Sequence, residues 1–456
     1  MSARVWVAAA WLAIVGQTSL AATDTATWRN IPWNAASGSH DGNGEQTHIA
    51  WTTDVQVEAA ALVRVFFADV NLGQNSYVLL RATNGDLRLN AASMKEYFDS
   101  SCILSGEHIA IELHVAPKDR GVSIRIDRVM TATPGPEIAT LCSSDDRVAS
   151  TDNRVARLVR TSGMSQIPYC SAWRISNGAF LTAGHCADFD PDGSGPQLPD
   201  GTMDMNGLVE FNVPASSETG GLNAALVNDQ YPIDLTSVQW RFDGEGQGLG
   251  KDWCVFRVNK NANTGLLPHE VYGPPFRVTR ELPEVDETMR VTGFGTDTGT
   301  ANQTNQTSTG TFEGEVVSGQ DIELDHRVDT TGASSGSPFI WESMNLAFGI
   351  HTTGGCDNNA NSSNTGTSFE VDALEMAINN SPGSNTRYAD ALHPLRVAEE
   401  GTLFRPYASL VSAINATPNN GVCSIYIGVY GVPSGTTFTR AMTLQAPAGG
   451  VFILGN

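Results

Sequence analysis

Short runs in which apolar and polar residues alternate recur along the first third of the chain. They lie at residues 61–67, 76–80, 108–115 and 122–126. A period of two places one face of a strand in a core and the other in solvent, and the Asn84-Gly85 dipeptide is a turn signal. This pattern predicts an antiparallel β-sandwich module over residues 22–140.

Strand-like runs resume after residue 168, whereas helical periodicity is scarce. The runs lie at residues 173–175, 179–181, 208–213, 255–258, 290–295 and 347–351. The loops between them are rich in Gly, Asn and Asp, as expected of barrels made from short strands. One helix is predicted at 371–378, because Leu374, Ala377 and Ile378 have helical spacing.

The last part of the chain, residues 388–456, contains four further short runs separated by Gly, Pro and Asn. It predicts a small β segment that resembles one or two coils of a parallel β-helix. A unit of this size cannot bury a core alone, so it should pack on the rest of the chain or on a partner.

A linker is predicted at residues 141–166, after the turn-forming Pro134-Gly135-Pro136. Within it, arginines recur every three residues at Arg154, Arg157 and Arg160. They indicate either a processing site in an exposed segment or simply a solvated face of the linker.

Residues 1–21 have the organisation of a secretory signal peptide. Arg4 precedes a short apolar run, and small residues end at Ala21 before a polar segment. The run is too short to span a bilayer in the mature protein. We therefore expect cleavage after Ala21, export to an extracellular or periplasmic location, and no membrane association afterwards.

The length of the chain limits the number of domains, and its net charge limits the kinds of partner it can bind. A chain of 456 residues has room for two or three domains. Its 49 acidic and 27 basic residues give a formal charge of −22. Such a surface repels phosphate backbones, so nucleic acid is not an expected partner. The oligomeric state cannot be predicted from these features.

Three segments carry candidate chemistry. The first is Thr-Ala-Gly-His-Cys, ending at Cys186; the second contains Asp252 before an apolar run; the third is Ser-Gly-Ser-Pro, beginning at Ser335. A serine hydroxyl needs a neighbouring base to become a nucleophile, which makes His185 the candidate base. Gly336 permits a backbone conformation that a Cβ would block, so the loop can present the hydroxyl.

In the order His, Asp, Ser, these segments resemble the chymotrypsin-like serine peptidases. The Ser-Gly-Ser-Pro motif and the run 349–352, Gly-Ile-His-Thr, resemble the bacterial branch that contains the glutamyl endopeptidases. The likeness covers residues 169–369 and implies a double β-barrel, which we place at 167–385. It also implies hydrolysis of peptide bonds in protein or peptide substrates through an acyl-enzyme, without a metal or an organic cofactor.

The resemblance assigns the catalytic roles. Ser335 would be the nucleophile, His185 the general base, and Asp252 the group that holds the imidazole. Other acidic residues between His185 and Ser335 lie in a polar loop and lack the apolar strand that follows Asp252: Asp229, Asp234 and Asp243.

The oxyanion hole would come from the backbone N–H groups of Ala333 and Ser335. The family usually has glycine where this chain has Ala333, and alanine does not readily adopt a positive φ. Ser334 stands where the animal enzymes have an aspartate that pairs with a freed N-terminus. Activation by that ion pair is therefore not expected.

Two residues are candidates for binding the substrate side chain. Asp329 lies where trypsin-like enzymes place the carboxylate that receives Lys or Arg, and His351 matches the histidine with which glutamyl endopeptidases bind Glu. We expect the acidic preference, weakening as the pH rises past an imidazole pKa of about 6.5. Alternatively, Asp329 caps its own loop and His351 is a core histidine.

Seven cysteines in an exported protein predict disulfides. The resemblance implies a bridge between Cys170 and Cys186, beside the histidine. Cys142 with Cys356 is a further guess, and the remaining cysteines cannot be paired from sequence: Cys102, Cys254 and Cys423. No two cysteines have the close spacing of zinc-binding knuckles, so no metal site is predicted.

Two alternatives remain open at this point. Residues 22–140 are either a retained module or a propeptide that delays activity. The chain as a whole is either a secreted serine endopeptidase or a secreted binding or adhesion protein with an inactive peptidase-like domain, an alternative that Ala333 favours.

Overall fold

The computed structural model describes residues 27–58, 60–133, 139–160, 169–187, 207–242, 250–357, 362–380, 385–394, 398–447 and 450–455. The signal peptide predicted at 1–21 lies outside these ranges. Among the described residues, none of the helices has the length and apolar character needed to cross a membrane.

The N-terminal module, residues 27–133, is a sandwich of two four-stranded antiparallel sheets. One sheet has the order β1-β8-β3-β6 and the other β2-β7-β4-β5. The strands are β1 (Thr27–Ala36), β2 (His48–Gln56), β3 (Leu62–Asn71), β4 (Tyr77–Ala82), β5 (Gly85–Leu89), β6 (Leu104–Ser105), β7 (His108–Val115) and β8 (Ser123–Thr133), with helix α1 (Ala91–Glu96) after β5. The predicted sandwich is confirmed.

The alternating pattern explains how this module folds. Ile109, Ile111 and Leu113 of β7 are fully buried, whereas the residues between them are partly exposed. Their side chains meet Val63 and Val65 of the opposite sheet in one apolar cluster. Burying this face of each sheet stabilises the sandwich, because the apolar area is removed from water.

The N-terminal module is joined to the next domain by buried polar contacts. Gln230 accepts a hydrogen bond from the Ile103 backbone N–H (2.9 Å) and donates one to the Ile103 carbonyl (2.7 Å). Asn84 donates to the carbonyl of Ala225 at 2.8 Å. The apolar cluster of the module also continues without a break into Val159 and Leu208. The contact is therefore part of the folded core.

The first barrel closes in the order β11-β12-β13-β16-β15-β14. Two short strands, β9 (Ala139–Thr140) and β10 (Val148–Ala149), precede it. Its strands are β11 (Val155–Arg160), β12 (Tyr169–Arg174), β13 (Phe180–Thr182), β14 (Gly207–Glu210), β15 (Gln230–Arg241) and β16 (Trp253–Val258), with 3-10 turns η1 (Gly184–Cys186) and η2 (Val227–Asp229).

The predicted linker boundaries need correction, because β11 lies inside the range 141–166. This strand pairs with both β12 and β14 and is therefore an integral part of the first barrel. Arg157 on β11 is buried and forms an ion pair with Glu210 at 2.7 Å. Arg154 is paired with Asp152 at 2.6 Å. Neither arginine lies in an exposed processing segment; the side chain of Arg160 lies outside the described residues.

The second barrel closes in the order β19-β18-β22-β23-β24-β20, and β20 pairs back with β19. The elements are α2 (Pro268–Val271), β17 (Arg277–Val278), β18 (Thr288–Gly293), η3 (Gly299–Ala301), β19 (Gln306–Ser318), β20 (Asp321–His326), β21 (Thr330–Thr331), β22 (Pro338–Trp341), β23 (Leu346–Thr353) and β24 (Asn364–Ser368). Helix α3 (Asp372–Asn380) follows, at the helix predicted from the sequence. The expected double β-barrel is confirmed.

The C-terminal segment, whose described residues lie between 385 and 455, pairs its strands in parallel. Its elements are β25 (Thr386–Ala389), α4 (Leu410–Ala416), β26 (Gly421–Ile425), β27 (Gly428–Val432), β28 (Met442–Gln445) and β29 (Val451–Gly455). β26 lies between β25 and β28, and β27 pairs with β29, as in stacked coils. The segment packs on the second barrel through an ion pair between Arg277 and Asp390 at 2.6 Å. The predicted β segment is confirmed.

Candidate active site

His185 and Asp252 lie on neighbouring elements of the first barrel. His185 is in η1, directly after β13, and Asp252 immediately precedes β16, which pairs with β13. Nδ1 of His185 is 2.7 Å from Oδ2 of Asp252, and the backbone N–H of His185 donates to Oδ1 at 2.8 Å. The carboxylate favours a proton on Nδ1, so Nε2 is left as the basic nitrogen.

The side chains of Asp252 and His185 differ in their exposure to solvent. The Asp252 side chain is 2% exposed, whereas that of His185 is 29% exposed. A buried carboxylate with two hydrogen bonds holds the ring, and the ring itself is within reach of a substrate.

The rival aspartates have other partners in the structure. Asp229 accepts a hydrogen bond from the Tyr272 hydroxyl at 2.5 Å. Asp234 accepts from the backbone and hydroxyl of Thr236. Asp243 lies outside the described residues. Of the three candidate aspartates that the structure describes, Asp252 is the one that contacts His185.

Ser335 lies in the nucleophile loop, residues 331–337, between β21 and β22 of the second barrel. The Ser335 carbonyl accepts from the backbone N–H of Ser171 at 2.8 Å. Gly336 has φ +88°, and a Cβ on it would lie 2.2 Å from both the Ser171 carbonyl oxygen and Oγ1 of Thr182. Only glycine permits this approach, which brings the loop against the strand that leads into His185.

The Ser335 side chain is accessible although its neighbours Ser334 and Gly336 are buried. Its hydroxyl donates to the Thr352 carbonyl at 3.3 Å. Catalytic hydrogen bonds are often long or misaligned in the absence of substrate, so this geometry is compatible with a nucleophile at rest. The backbone of the Ser335 loop therefore lies beside the element that carries His185, with Sγ of Cys186 3.9 Å from the Ser335 carbonyl.

Ala333 adopts φ +71° in a turn closed by the Ser334 N–H and the Thr331 carbonyl at 3.0 Å. A positive φ at the third position is the signature of a type II turn, and it is disfavoured for alanine by about 1–2 kcal/mol. Within the described part of the chain, the N–H groups of Ala333 and Ser335 donate to no acceptor. They can therefore serve a developing oxyanion, at the cost of strain in Ala333.

Asp329 is occupied within the protein. Its oxygens accept from the backbone N–H groups of Cys142 (2.8 Å) and Asp146 (3.1 Å), and the residue is buried. Burial raises the pKa of this carboxyl above its usual value. The contacts favour the loop-capping interpretation, because both oxygens hold the segment before the first barrel.

His351 lies at the end of a chain of hydrogen bonds in the core. The Val328 N–H donates to Nδ1 of His326 (3.1 Å), so the His326 proton is on Nε2, which lies 3.2 Å from Nδ1 of His351. The His351 side chain is also hydrogen-bonded to the backbone of Thr365. Burial lowers the pKa of His351 to about 3, and nearby His185 adds to the effect. His351 is thus neutral and inward-facing, which favours the core-histidine interpretation.

The disulfide implied by the resemblance and the guessed one are both present. Cys170 is bridged to Cys186, and Cys142 to Cys356. Cys102, Cys254 and Cys423 are buried and are not part of a disulfide among the described residues. Among the described residues, the group of possible metal ligands is Cys170, His185 and Cys186, but the disulfide removes both thiolates.

Two residues that contact the residues described above were missed by the sequence analysis: His326, 3.2 Å from His351, and Arg147, which donates to Oγ1 of Thr331 at 2.7 Å. His326 follows the alternation of β20, in which Leu324 and His326 are both fully buried. That register was a usable signal for a buried histidine. Arg147 has no comparable signal, because it is a single arginine in a polar stretch.

No family model matches the chain, and no curated protein matches it. Several solved structures are similar. They include a thermostable serine protease from an extremophilic microorganism, with 14% identity over 49% of this chain and 94% of that one (TM-score 0.35). The protease Anisep from Arthrobacter nicotinovorans has 15% identity over 49% and 93% (TM-score 0.36). A Glu endopeptidase in complex with MPD has 18% identity over 52% and 98% (TM-score 0.35). At these TM-scores, the similarities say nothing about activity in this chain.

Proposed function

We propose that this protein is an exported serine endopeptidase that cleaves peptide bonds through an acyl-enzyme. The observation that supports this most is the double contact of Asp252 with His185, together with the docking of the Ser335 loop beside that histidine. A buried aspartate, an accessible imidazole and an accessible serine at one junction are the parts that acyl transfer needs.

In acylation, Oγ of Ser335 attacks the carbonyl carbon of the substrate while Nε2 of His185 takes the hydroxyl proton. Asp252 stabilises the imidazolium, and the N–H groups of Ala333 and Ser335 stabilise the oxyanion. His185 then gives the proton to the leaving amine as the C–N bond breaks. In deacylation, water attacks the ester with His185 as the base, and Ser335 regains its proton as the acid product leaves.

Substrate preference does not follow from the two predicted residues. Asp329 holds backbone N–H groups and His351 is neutral and enclosed. We propose that neither residue binds the substrate side chain through a charge. The preference for Glu expected from the sequence thus lacks support in this geometry.

We also propose that the N-terminal module is retained in the active protein. Its interface contains the buried side chain of Gln230 and an apolar cluster shared with the first barrel and with Ala333. Removing the module would expose this apolar surface and leave buried polar groups without partners, which is costly.

The test is labelling by an organophosphorus serine reagent, followed by mass spectrometry of the modified peptide. The wild type should be labelled at Ser335 and should hydrolyse a peptide ester, whereas Ser335→Ala should do neither. Ser217→Ala, at an exposed serine, serves as the control and should behave as the wild type. A folded wild type that takes no label would support the binding-protein alternative instead.

A further inference from the structure

Arg147 lies between β9 and β10, before the first barrel, and its side chain is only 4% exposed. An arginine this far buried must have its donors satisfied, because leaving them unpaired is costly. The acceptors that its N–H groups bind therefore indicate the role of Arg147.

One nitrogen of the guanidinium reaches the second barrel. Nη1 of Arg147 donates to Oγ1 of Thr331 at 2.7 Å and to the carbonyl of Thr296 at 2.8 Å. Thr331 Oγ1 itself donates to the same carbonyl at 2.8 Å, so the three groups form a closed triangle. Arg147 thus holds Thr331 in one rotamer.

The charge of Arg147 is balanced on its other side. Nη2 is 2.6 Å from Oδ2 of Asp145 and 3.6 Å from Oδ2 of Asp297. Nε donates to Oδ1 of Asp145 at 3.0 Å, which makes that pair bidentate. A planar, bidentate arginine fixes direction as well as charge, so the Nη1 contact is held in place.

Thr331 is the first residue of the turn that presents the Ala333 N–H. Its carbonyl accepts from the Ser334 N–H at 3.0 Å, and its own N–H donates to Oγ of Ser334 at 3.2 Å. Gly295 packs against this turn, since a Cβ there would lie 2.4 Å from Oγ1 of Thr331 and 3.1 Å from Nη1 of Arg147. The arginine is therefore packed at the base of the turn.

We propose that Arg147 is a positioning residue that holds the turn from Thr331 to Ser334 in the conformation needed for oxyanion binding. The proposal rests on the proposed function of Ser335. Ala333 has a φ that alanine disfavours, and such a conformation persists only when surrounding contacts over-determine it. Arg147 supplies part of those contacts from the segment between β9, which pairs with β21, and β10, which pairs with β19.

The chain contains a matched control. Arg154 makes the same bidentate contact with the aspartate two residues before it, with Nη2 of Arg154 2.6 Å and Nε 2.8 Å from the carboxylate of Asp152. Beyond that pair, Arg154 lies over the Phe276 ring at 3.8 Å and contacts no residue of the nucleophile loop through an identified hydrogen bond. Arg154→Met removes an equivalent ion pair without affecting the turn.

The kinetic test compares Arg147→Met with Arg154→Met on a peptide ester. We expect Arg147→Met to lower kcat by about 10–100-fold with KM within about threefold, since the lost interaction matters mainly in the transition state. Arg154→Met should keep kcat within about threefold of the wild type. Arg147→Lys should be intermediate, because it keeps the charge but loses the planar fork. Equal kcat in Arg147→Met and the wild type would overturn the proposal.

A second readout needs no substrate. Amide hydrogen exchange over residues 330–337 should accelerate in Arg147→Met, or in Arg147→Lys if the former does not fold, and should not change in Arg154→Met. Unchanged exchange in the Arg147 variant would overturn the proposal. Accelerated exchange in a protein whose wild type is inactive would instead refute the proposed function while leaving the role of Arg147 supported.

Discussion

The carboxylate of Asp252 contacts His185 twice, through Oδ1 to the backbone N–H and through Oδ2 to Nδ1 of the ring. One contact fixes the main chain and the other fixes the imidazole. The histidine is thus held in both position and tautomer by a single buried group, so its orientation does not depend on the substrate.

Replacing the Asp252 carboxylate with an amide should show how much its contact with the imidazole ring contributes to catalysis. In Asp252→Asn the amide would favour the wrong imidazole tautomer, and kcat should fall by about 10⁴-fold, as expected when the aspartate of a Ser-His-Asp triad is replaced by asparagine. Asp234→Asn is the control and should retain activity. Steady-state kinetics on a peptide ester, with thermal unfolding to verify the fold, checks this. Activity in Asp252→Asn near the wild-type value would show that another group holds the histidine.

Relieving the strain at Ala333 should stabilise the protein. Glycine at a φ of +71° avoids a cost of about 1–2 kcal/mol but loses about 0.5–1 kcal/mol of chain entropy on folding. Ala333→Gly should therefore raise the free energy of unfolding by about 0.5–1 kcal/mol and retain activity. Denaturant unfolding measures it, with Ala301→Gly in η3 as a control that should destabilise. A loss of stability in Ala333→Gly would contradict the strained conformation.

Substrate preference should be insensitive to the protonation of His351. Because burial lowers its pKa to about 3, the ring remains neutral in the free enzyme throughout the neutral range. The ratio of kcat/KM for Glu and Gln substrates should stay within about twofold across roughly pH 5 to 8, contrary to the expectation from sequence. Asp329→Asn should leave the ratio for Arg and Glu substrates unchanged. A ratio that follows a titration near pH 6.5 would restore His351 as a substrate-binding group.

Glu323 should make the protein less stable as the pH rises. Burial, with a smaller contribution from Asp325, raises the pKa of Glu323 to about 7, whereas its value in the unfolded chain is near 4.5. Between these values the folded state binds more protons, so the free energy of unfolding falls with increasing pH. Glu323→Gln should be more stable than the wild type at pH 8, by roughly 1 kcal/mol, and the difference should shrink by pH 4.5. A difference independent of pH would contradict the raised pKa.

Peptide mapping without reduction should recover two linked pairs, Cys170 with Cys186 and Cys142 with Cys356. The other three cysteines are buried, and burial raises the pKa values of their thiols. They should therefore resist alkylation until the protein is unfolded, because the thiolate is the reactive form. Modification of any of the three in the folded protein, or a different pairing, would show that the cysteine environments are not those described.

Local sequence patterns predicted much of the fold, because they reflect which side chains of a strand are buried and where a strand ends. The alternation in β7 determines which face is buried, and the Thr-Ala-Gly-His-Cys motif locates His185 at the end of β13. The boundary of the first barrel was misplaced because the arginines of β11 suggested a solvated linker. Arg157 is buried there because it pairs with Glu210, 53 positions away, and also donates to the carbonyls of Asn223 and Gln303.

The two predicted specificity residues, Asp329 and His351, also show that a local motif does not reveal long-range contacts. The positions of Asp329 and His351 near Ser335 in sequence are those expected of a substrate pocket. Their partners come from elsewhere in the chain: the Cys142 and Asp146 backbones for the first, and the His326 ring for the second. Long-range hydrogen bonds of this kind decide whether a polar side chain faces a substrate or the core, and they have no signature in a local motif.

The disulfide between Cys142 and Cys356 also determines whether proteolysis of the chain releases a fragment. It joins the segment that follows the N-terminal module to the second barrel. Hydrolysis of a peptide bond between residues 143 and 168 would therefore produce two polypeptides that remain one covalent molecule. Shedding the module by such a cut would require a reductant as well as a protease, so in an oxidising compartment this cleavage would leave the protein a disulfide-linked heterodimer of its own fragments.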